Sequence, residues 1–284
     1  MDTIDKTRLG RYGIWTFDFE DQPASLIRDS AQELDERGWP ALWIPETEKR
    51  EALTHAGFLL SATERITVLN GIAQIWAREA RWTRAAALLL ADAYPGRHVL
   101  GLGFGGGKPG AKPLQAMNDY LDALDGAPIP RLLAAYGPKM LELARDRSAG
   151  AHTYHVTPEH TAQAREILGD GPFLGVEHAV LFETDATKAR EIARAHLHRY
   201  LTSKYNVAKY LRLGYTEADI DGGRGSDRLI DDLVFWGDLD TITGKLAAHV
   251  DAGADHVGVQ VIGVEPGTSA MPHWRRLADA LLPA

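Results

Sequence analysis

The stretch Leu100–Gly110, "LGLGFGGGKPG", decides between three folds. It reads as a strand running into a glycine-rich loop with a lysine. Gly101, Gly103 and Gly106 satisfy G-x-G-x-x-G, but their surroundings do not. A dinucleotide fingerprint belongs to the first strand of a βαβ unit and opens directly into a helix. This stretch follows a fourth strand candidate, and Pro109, Gly110 and Pro113 delay the next helix. A G-x-x-x-x-G-K-[ST] phosphate loop fails too. Counting back from Gly107 and Lys108 puts Leu102 at the first glycine and Pro109 at the hydroxyl position. What remains is a loop at the C-terminal end of a strand. Its bare backbone either admits a flat or bulky ligand, with Lys108 facing an anion, or only turns the chain.

Outward from that loop, short apolar runs alternate with helical patterns. The strand candidates are Tyr12–Phe17, Ala41–Glu46, Arg65–Ala77, His98–Phe104, Arg131–Gly137, Ala151–Val156, Gly175–Thr184 and Asp255–Gly263. Leu26, Ile27, Ala31 and Leu34 fall on one face of a helix stopped at Gly38. Thr157 and Pro158 mark the N-cap and first turn of another. Eight strands interleaved with helices predict the α/β class and a single (β/α)8 TIM barrel over residues 1–284. A long helix is expected from about Ala186 to Leu213. The last two strand candidates begin 80 residues apart, at Gly175 and Asp255, which places an insertion near 213–240. That segment fits either a mobile lid or a surface excursion.

Composition narrows the chemistry. The 284 residues are 45% hydrophobic and 25% charged and include no cysteine. Disulfides, thiolate metal sites, iron–sulfur clusters and thiol nucleophiles are excluded. The formal charge of −8 argues against a general nucleic-acid binder. Met1–Gly10 lacks a signal-peptide pattern, and no apolar run approaches the roughly 20 residues of a membrane span. A cytoplasmic protein acting on a small molecule, without nucleic-acid or membrane partners, is the expectation. No G-x-S-x-G elbow is present. His196 and His198 face different sides of a helix, and a barrel metal site draws its ligands from several strand ends, so no metal is expected.

Barrel chemistry sits at the C-terminal strand ends. Asn70, Gly71 and Ile72 interrupt the third strand, which signals a bulge or a close approach of backbone to a ligand. Trp76 and Arg78 follow. At the fifth strand's end, Tyr136, Gly137, Pro138, Lys139 and Met140 open a helix whose free N–H groups, with Lys139, make an anion site. Glu46 ends the second strand beside Trp43, where partial burial would raise a carboxyl pKa and suit it to proton transfer. Trp15, Trp43 and Trp76 are placed to stack on a ring or substrate, or else to fill the core.

The ordered set "GIWTFD", "GWPALWIPE", "RITVLNGIAQIWAR", "HVLGLGFGG", "GPKMLELARDRSAGAHTYHVTPEHT" and "DAGADHVGVQVI" resembles the bacterial luciferase-like monooxygenase superfamily, most closely its coenzyme F420-dependent oxidoreductases. The likeness spans nearly the whole chain. It implies a (β/α)8 barrel with a late insertion, a flavin or deazaflavin at the C-terminal face, and a homodimer. It further implies a non-prolyl cis peptide at the Asn70–Gly71–Ile72 bulge, with Gly71–Ile72 the candidate, backing a bent deazaflavin ring. The cofactor-binding strand end falls on Gly103 to Gly106, Gly105 among them. The phosphate turn falls on Gly137 to Met140, with Tyr136 before it, and Arg78 matches an arginine that follows the third strand. The implied reaction is hydride transfer between the deazaflavin C5 and an organic substrate.

Two departures qualify this. Many F420-dependent dehydrogenases carry Asp-His or a lone His after the second strand, where this chain has Pro45 and Glu46. Several carry a glutamate after the fourth strand, where this chain has glycines and Lys108. Glu46 is therefore the candidate proton-handling group. A reduced-FMN and oxygen monooxygenase, a non-catalytic flavin or deazaflavin binder, and a cofactor-free lyase or hydrolase are the alternatives.

Overall fold

The strand candidates close into a ring. The computed structural model describes residues 3–105, 110–265 and 268–283. Its strands are β1 (Tyr12–Trp15), β2 (Ala41–Ile44), β3 (Thr67–Asn70), β4 (Ala73–Gln74), β5 (His98–Gly103), β6 (Arg131–Ala134), β7 (Gly150–Thr153), β8 (Phe173–Leu181), β9 (Val234–Trp236) and β10 (His256–Val261). Every pairing is parallel. Neighbours run β1–β2–β3–β5–β6–β7–β8–β10, and β10 returns to β1 with Val257 opposite Tyr12. This is the closed eight-stranded barrel of the α/β class. β4 resumes the third strand beyond its break and pairs with β5. β9 pairs with the upper part of β8, above the stretch β7 covers.

Period-two alternation sorts the side chains. Outward residues such as Ile14, Leu42, Val68, Leu100 and Val257 pack under the surrounding helices. The Ala24–Glu36 helix contributes Ile27, Ala31 and Leu34 to that layer, whereas Leu26 is half exposed. Inside, Trp15, Trp43, Leu69, Val99, Leu132 and Phe173 pack together with Leu9. Two tryptophans and a histidine fit because three strand glycines stand beside them. A Cβ at Gly175 would lie 3.0 Å from Trp43, one at Gly258 3.2 Å from Trp15, and one at Gly13 2.7 Å from His256.

The interior is polar as well as aromatic. Trp15 Nε1 donates to His152 Nε2 (3.3 Å), and His152 Nδ1 donates to the Gly175 carbonyl (3.1 Å). Trp43 Nε1 donates to His256 Nε2 (3.0 Å), and His256 Nδ1 donates to the Gly10 carbonyl (2.9 Å). These two buried imidazoles, His152 and His256, are thus satisfied in their neutral form, as a dry interior demands.

The third strand breaks where the sequence places a bulge. β3 stops at Asn70, and the Asn70 carbonyl crosses over β5 so closely that a Cβ on Gly101 would lie 1.9 Å from it. A Cβ on Gly103 would lie 2.6 Å from the Ile72 side chain. The Asn70 side chain anchors the break from behind. Its Nδ2 donates to the Ala52 carbonyl (3.1 Å), and its Oδ1 accepts from His98 Nε2 (3.0 Å).

The late insertion departs from expectation in three ways. The helix expected from Ala186 to Leu213 is two helices, Ala186–Leu201 and Lys204–Arg212. Thr202 Oγ1 donates back to the His198 carbonyl (3.0 Å) while Ser203 adopts an extended conformation, and together they end the first helix. The segment after Arg212 is neither a free lid nor a bare excursion. Tyr210, Tyr215, Ile220, Leu229, Ile230 and Leu233 bury themselves against Leu197 and Leu201, and β9 joins the sheet. A further helix, Leu239–Asp251, precedes β10; its pattern goes unassigned in the sequence.

Two outcomes follow. Gly101→Ala should destabilise the protein by about 2–3 kcal/mol, because the Asn70 carbonyl is backbone that cannot swing aside; an unshifted denaturation midpoint would refute the close approach. Stability should also fall on acidification. Burial holds His98, His152, His160, His196, His249 and His256 near 4, against 6.5 for a free imidazole. Between pH 6.5 and 4 the unfolded chain binds these protons and the folded chain does not. Each group then removes about 1.4 kcal/mol per pH unit. Glu177, which burial raises to about 8, opposes this, as do the Asp18 and Glu20 carboxyls that burial also raises, but the imidazoles outnumber them. Melting temperatures recorded from pH 7 to 4 should drop progressively.

Candidate active site

A cavity of about 440 Å³ opens at the C-terminal ends of the strands. Trp15 and Phe17 come from the end of β1, and Pro45 and Glu46 from the end of β2. The break supplies Gly71 and Ile72, and β4 with its following turn supplies Gln74 and Trp76. Phe104 and Gly105 follow β5. Tyr136, Gly137 and Met140 follow β6, and His152 and Tyr154 come from β7 and its end. The outer wall is Tyr200, Ser203, Tyr205, Asn206 and Arg212, from the two helices that follow β8 and the turn between them.

The floor is backbone. The Gly71–Ile72 peptide is cis, as the resemblance implies. Gly71 N–H donates to the Ile44 carbonyl (2.8 Å), and the Ile72 carbonyl accepts from Glu46 N–H (3.2 Å), so β2 holds both sides of this peptide. A Cβ at Gly71 would lie 2.5 Å from the Trp15 indole nitrogen; only glycine lets Trp15 sit there.

Glu46 faces the cavity, yet its carboxylate is committed. It is ion-paired with Arg78 and accepts from the backbone N–H groups of Ala52 (3.2 Å) and Gln74 (2.6 Å). Arg78 also reaches Glu51 at 2.8 Å. Glu46 therefore ties β2 to β4 as an anion, instead of standing as the free proton-handling acid expected of it. His152 has both ring nitrogens engaged and burial keeps it near 4, so it serves as a neutral wall.

Several predicted residues lie elsewhere. Trp43 is fully buried, stacked on His152 with ring centroids 4.4 Å apart, and does not reach the cavity. Asn70 and Arg78 act from behind the floor. Gly103 gives its space to Ile72 rather than to a ligand. Pro138 and Lys139 lie at the start of the Pro138–Arg147 helix but outside the lining, with Lys139 exposed. Gly105 does line the cavity, at φ +54°, with Gln74 filling the position of its Cβ. Gly106 and Lys108 fall outside the described residues. The cation beside Gly137 is Arg212, with Nη2 3.9 Å from the site of a Gly137 Cβ.

Arg212 belongs to a helix pinned from beneath. Lys209 is fully buried, and its Nζ donates to the carbonyls of Tyr154 (2.9 Å) and His155 (2.8 Å). The nitrogen also lies 4.5 Å from the ring centroids of both Tyr136 and Tyr210. Burial lowers this amine to about 7 and raises the neighbouring Glu177 carboxyl to about 8. Sequence alone gives no sign of this arrangement, because Lys209 reads as one more polar residue of a surface helix. Among the described residues no group of three His, Asp or Glu side chains is placed to hold a metal ion, and no helix is long and apolar enough to cross a membrane.

Arg78→Met, which leaves the buried Glu46 carboxylate without its guanidinium, should cost about 3 kcal/mol. Urea denaturation checks this, and a change below about 0.5 kcal/mol would mean the pair is idle.

Known proteins share this architecture. Residues 11–127 match the luciferase-like monooxygenase family. The chain is 23% identical, over 82% of its length and 89% of the relative's, to a Mycobacterium tuberculosis protein named as a coenzyme F420-dependent oxidoreductase. A coenzyme F420-dependent tetrahydromethanopterin reductase from Methanopyrus kandleri superposes with a TM-score of 0.72 at 16% identity, over 95% of this chain and 97% of that one. The FMN complex of the oxygenating constituent of 3,6-diketocamphane monooxygenase from Pseudomonas putida superposes at 0.64 and 13%, over 95% and 96%. Residues 11–127 are thus similar in sequence to the luciferase-like monooxygenase family, and the barrel as a whole shares the fold of these solved F420- and FMN-dependent enzymes.

Proposed function

We propose that the protein is an F420-dependent oxidoreductase acting on a small organic molecule. The observation that carries this reading is the Gly71–Ile72 bulge, a stretch of bare backbone on the floor of a largely aromatic cavity. A planar tricyclic ring can lie against such a floor, because the Ile72 side chain turns toward Gly103 and Trp15 fills the space beside Gly71. Trp15, Trp76, Phe104 and Tyr136 supply apolar walls that exclude water. Gly137 opens the Pro138–Arg147 helix without a side-chain cap, so free N–H groups and Arg212 would meet an anionic side arm. When bound, the deazaflavin supplies hydride transfer at its C5; the protein orients and shields it.

The FMN-containing neighbour keeps a second reading open, a monooxygenase using reduced FMN and oxygen. Fluorescence-quenching titrations with F420 and FMN, each oxidised and reduced, separate the two. Micromolar or tighter F420 binding, at least tenfold tighter than FMN, supports the proposal. Arg212→Ala should then weaken F420 about tenfold, and added salt should narrow the difference. Preference for reduced FMN moves the assignment to the monooxygenase. Failure of both to bind removes the cofactor assignment.

A further inference from the structure

Besides Glu46, held by Arg78, and the neutral His152, the cavity is lined by a hydrogen-bonded pair of hydroxyls. Tyr154 and Tyr200 both line the cavity, with hydroxyl oxygens 2.9 Å apart. Arg199 Nη2 lies 2.5 Å from the Tyr200 hydroxyl, and the Tyr154 hydroxyl lies 3.0 Å from Gln260 Oε1. These ends give the chain one direction. A guanidinium only donates and an amide oxygen only accepts. Arg199 therefore donates to Tyr200, Tyr200 to Tyr154, and Tyr154 to Gln260.

The two ends differ in setting. Arg199 is exposed to solvent, its guanidinium 5.0 Å from the Phe17 ring centroid. Gln260 is buried on the inner wall of β10. Tyr154 packs against Trp15 at 5.0 Å between ring centroids, and Trp15 in turn abuts Gly71. Its hydroxyl thus stands one indole away from the bare floor. Among the described groups lining the cavity, this pair alone joins the interior to the surface through bonds between hydroxyls. Desolvation keeps both phenols protonated at neutral pH.

We infer that Tyr154 is the catalytic proton donor to a substrate oxygen, with Tyr200 and Arg199 positioning and refilling it, and that the substrate is an uncharged carbonyl compound or the corresponding alcohol. The inference rests on the F420 reading above. In the reducing direction the carbonyl carbon gains a hydride from the reduced deazaflavin, which is oxidised by two electrons. The C=O π bond breaks, its electron pair goes to the oxygen, and that oxygen takes the Tyr154 proton. Tyr200 then returns a proton to Tyr154 and takes one from solvent at Arg199, which matches the proton that the reduced deazaflavin would release to solvent on oxidation, so no proton is consumed overall. Alcohol oxidation runs the same chain backwards. The Gln260 amide oxygen is a weak neutral acceptor, so a substrate oxygen gaining negative charge draws the Tyr154 proton away from it. The aromatic lining favours uncharged substrates.

Two measurements test this on the whole protein. The first needs no cofactor: 4-(dimethylamino)benzaldehyde absorbs further to the red when its carbonyl accepts a hydrogen bond. Its spectrum should shift on binding to the wild type, and the shift should vanish with Tyr154→Phe. The second follows oxidation of reduced F420 by acetone, cyclohexanone, acetophenone and benzaldehyde. At least one should react. Tyr154→Phe should lower kcat about 100-fold or more with KM and F420 affinity little changed, as loss of a general acid does. Tyr200→Phe should cost about tenfold and keep the dye shift, which covers the case of a Tyr154 variant that folds poorly. A Tyr154→Phe enzyme within threefold of wild type, an unaltered dye shift, or no carbonyl turned over by protein that binds F420 overturns the inference. If F420 does not bind at all, the function proposed above fails first and this inference falls with it.

Discussion

One backbone oxygen sets the shape of the site: the Asn70 carbonyl, lying where a side chain of Gly101 would be. A barrel strand normally runs straight to its end. Here β3 stops short, the chain steps inward over β5, and only β4 resumes the pairing. The step requires β5 to be bare at Gly101 under the carbonyl and at Gly103 under Ile72. It also presents the Gly71–Ile72 peptide to the cavity, with Trp15 closing against it. Glu46 and Arg78 then lock the step from the β2 side. Glycines that look like an anion loop in the sequence are, for the most part, clearance for one strand crossing another.

The same economy governs the polar interior. A barrel wide enough for two tryptophans leaves room for imidazoles; burial keeps them neutral, and their two nitrogens then call for hydrogen-bond partners. His152 and His256 meet that demand with one indole N–H and one backbone carbonyl each. Having met it, they are poor acids and bases. At the rim the polar groups facing the cavity include two linked phenols, one of them beside a guanidinium that reaches solvent.

Legibility in the sequence followed the range of the forces involved. Strand order and the alternation of elements are local patterns, and each strand candidate overlaps a strand of the barrel. The bulge was readable too, because a glycine between Asn70 and Ile72 weakens an apolar strand unless the backbone there has to bend or approach something closely. Trp43 was not: whether a strand tryptophan faces a ligand or the barrel axis depends on Gly175 and Gly258, far away in the chain. Glu46 was placed correctly, but its partner Arg78 turned an apparent acid into a tie. Tyr154, Tyr200, Lys209 and Arg212 carried no signal, because a tyrosine near a strand end or a basic residue on a helix acquires meaning only through tertiary contact. The break at Thr202 was hidden by a helical pattern that continued across it.

The cavity divides along the chain in a way that bears on specificity. Residues 11–127, the stretch matching the family, build β1 to β5 and therefore Trp15, Glu46, the Gly71–Ile72 floor and Gly105. These parts make a flat, dry bed and little else. The opposite wall comes from the ends of β6 and β7 and from the two helices after β8: Tyr136, Gly137, Tyr154, Tyr200 and Arg212. That wall holds the cation, the helix start and the linked phenols, and Lys209 fastens it to the end of β7 through two carbonyls. A bed for a planar ring can be shared among enzymes of different chemistry, since it contacts only the face of the ring. What sits above a bound ring would be set by the wall, which is held by the packing of Leu197, Leu201 and Tyr210 and by the buried Lys209 amine. Changes of substrate within this fold should therefore arise in residues 200–212 without disturbing the crossing at Asn70 and Gly101.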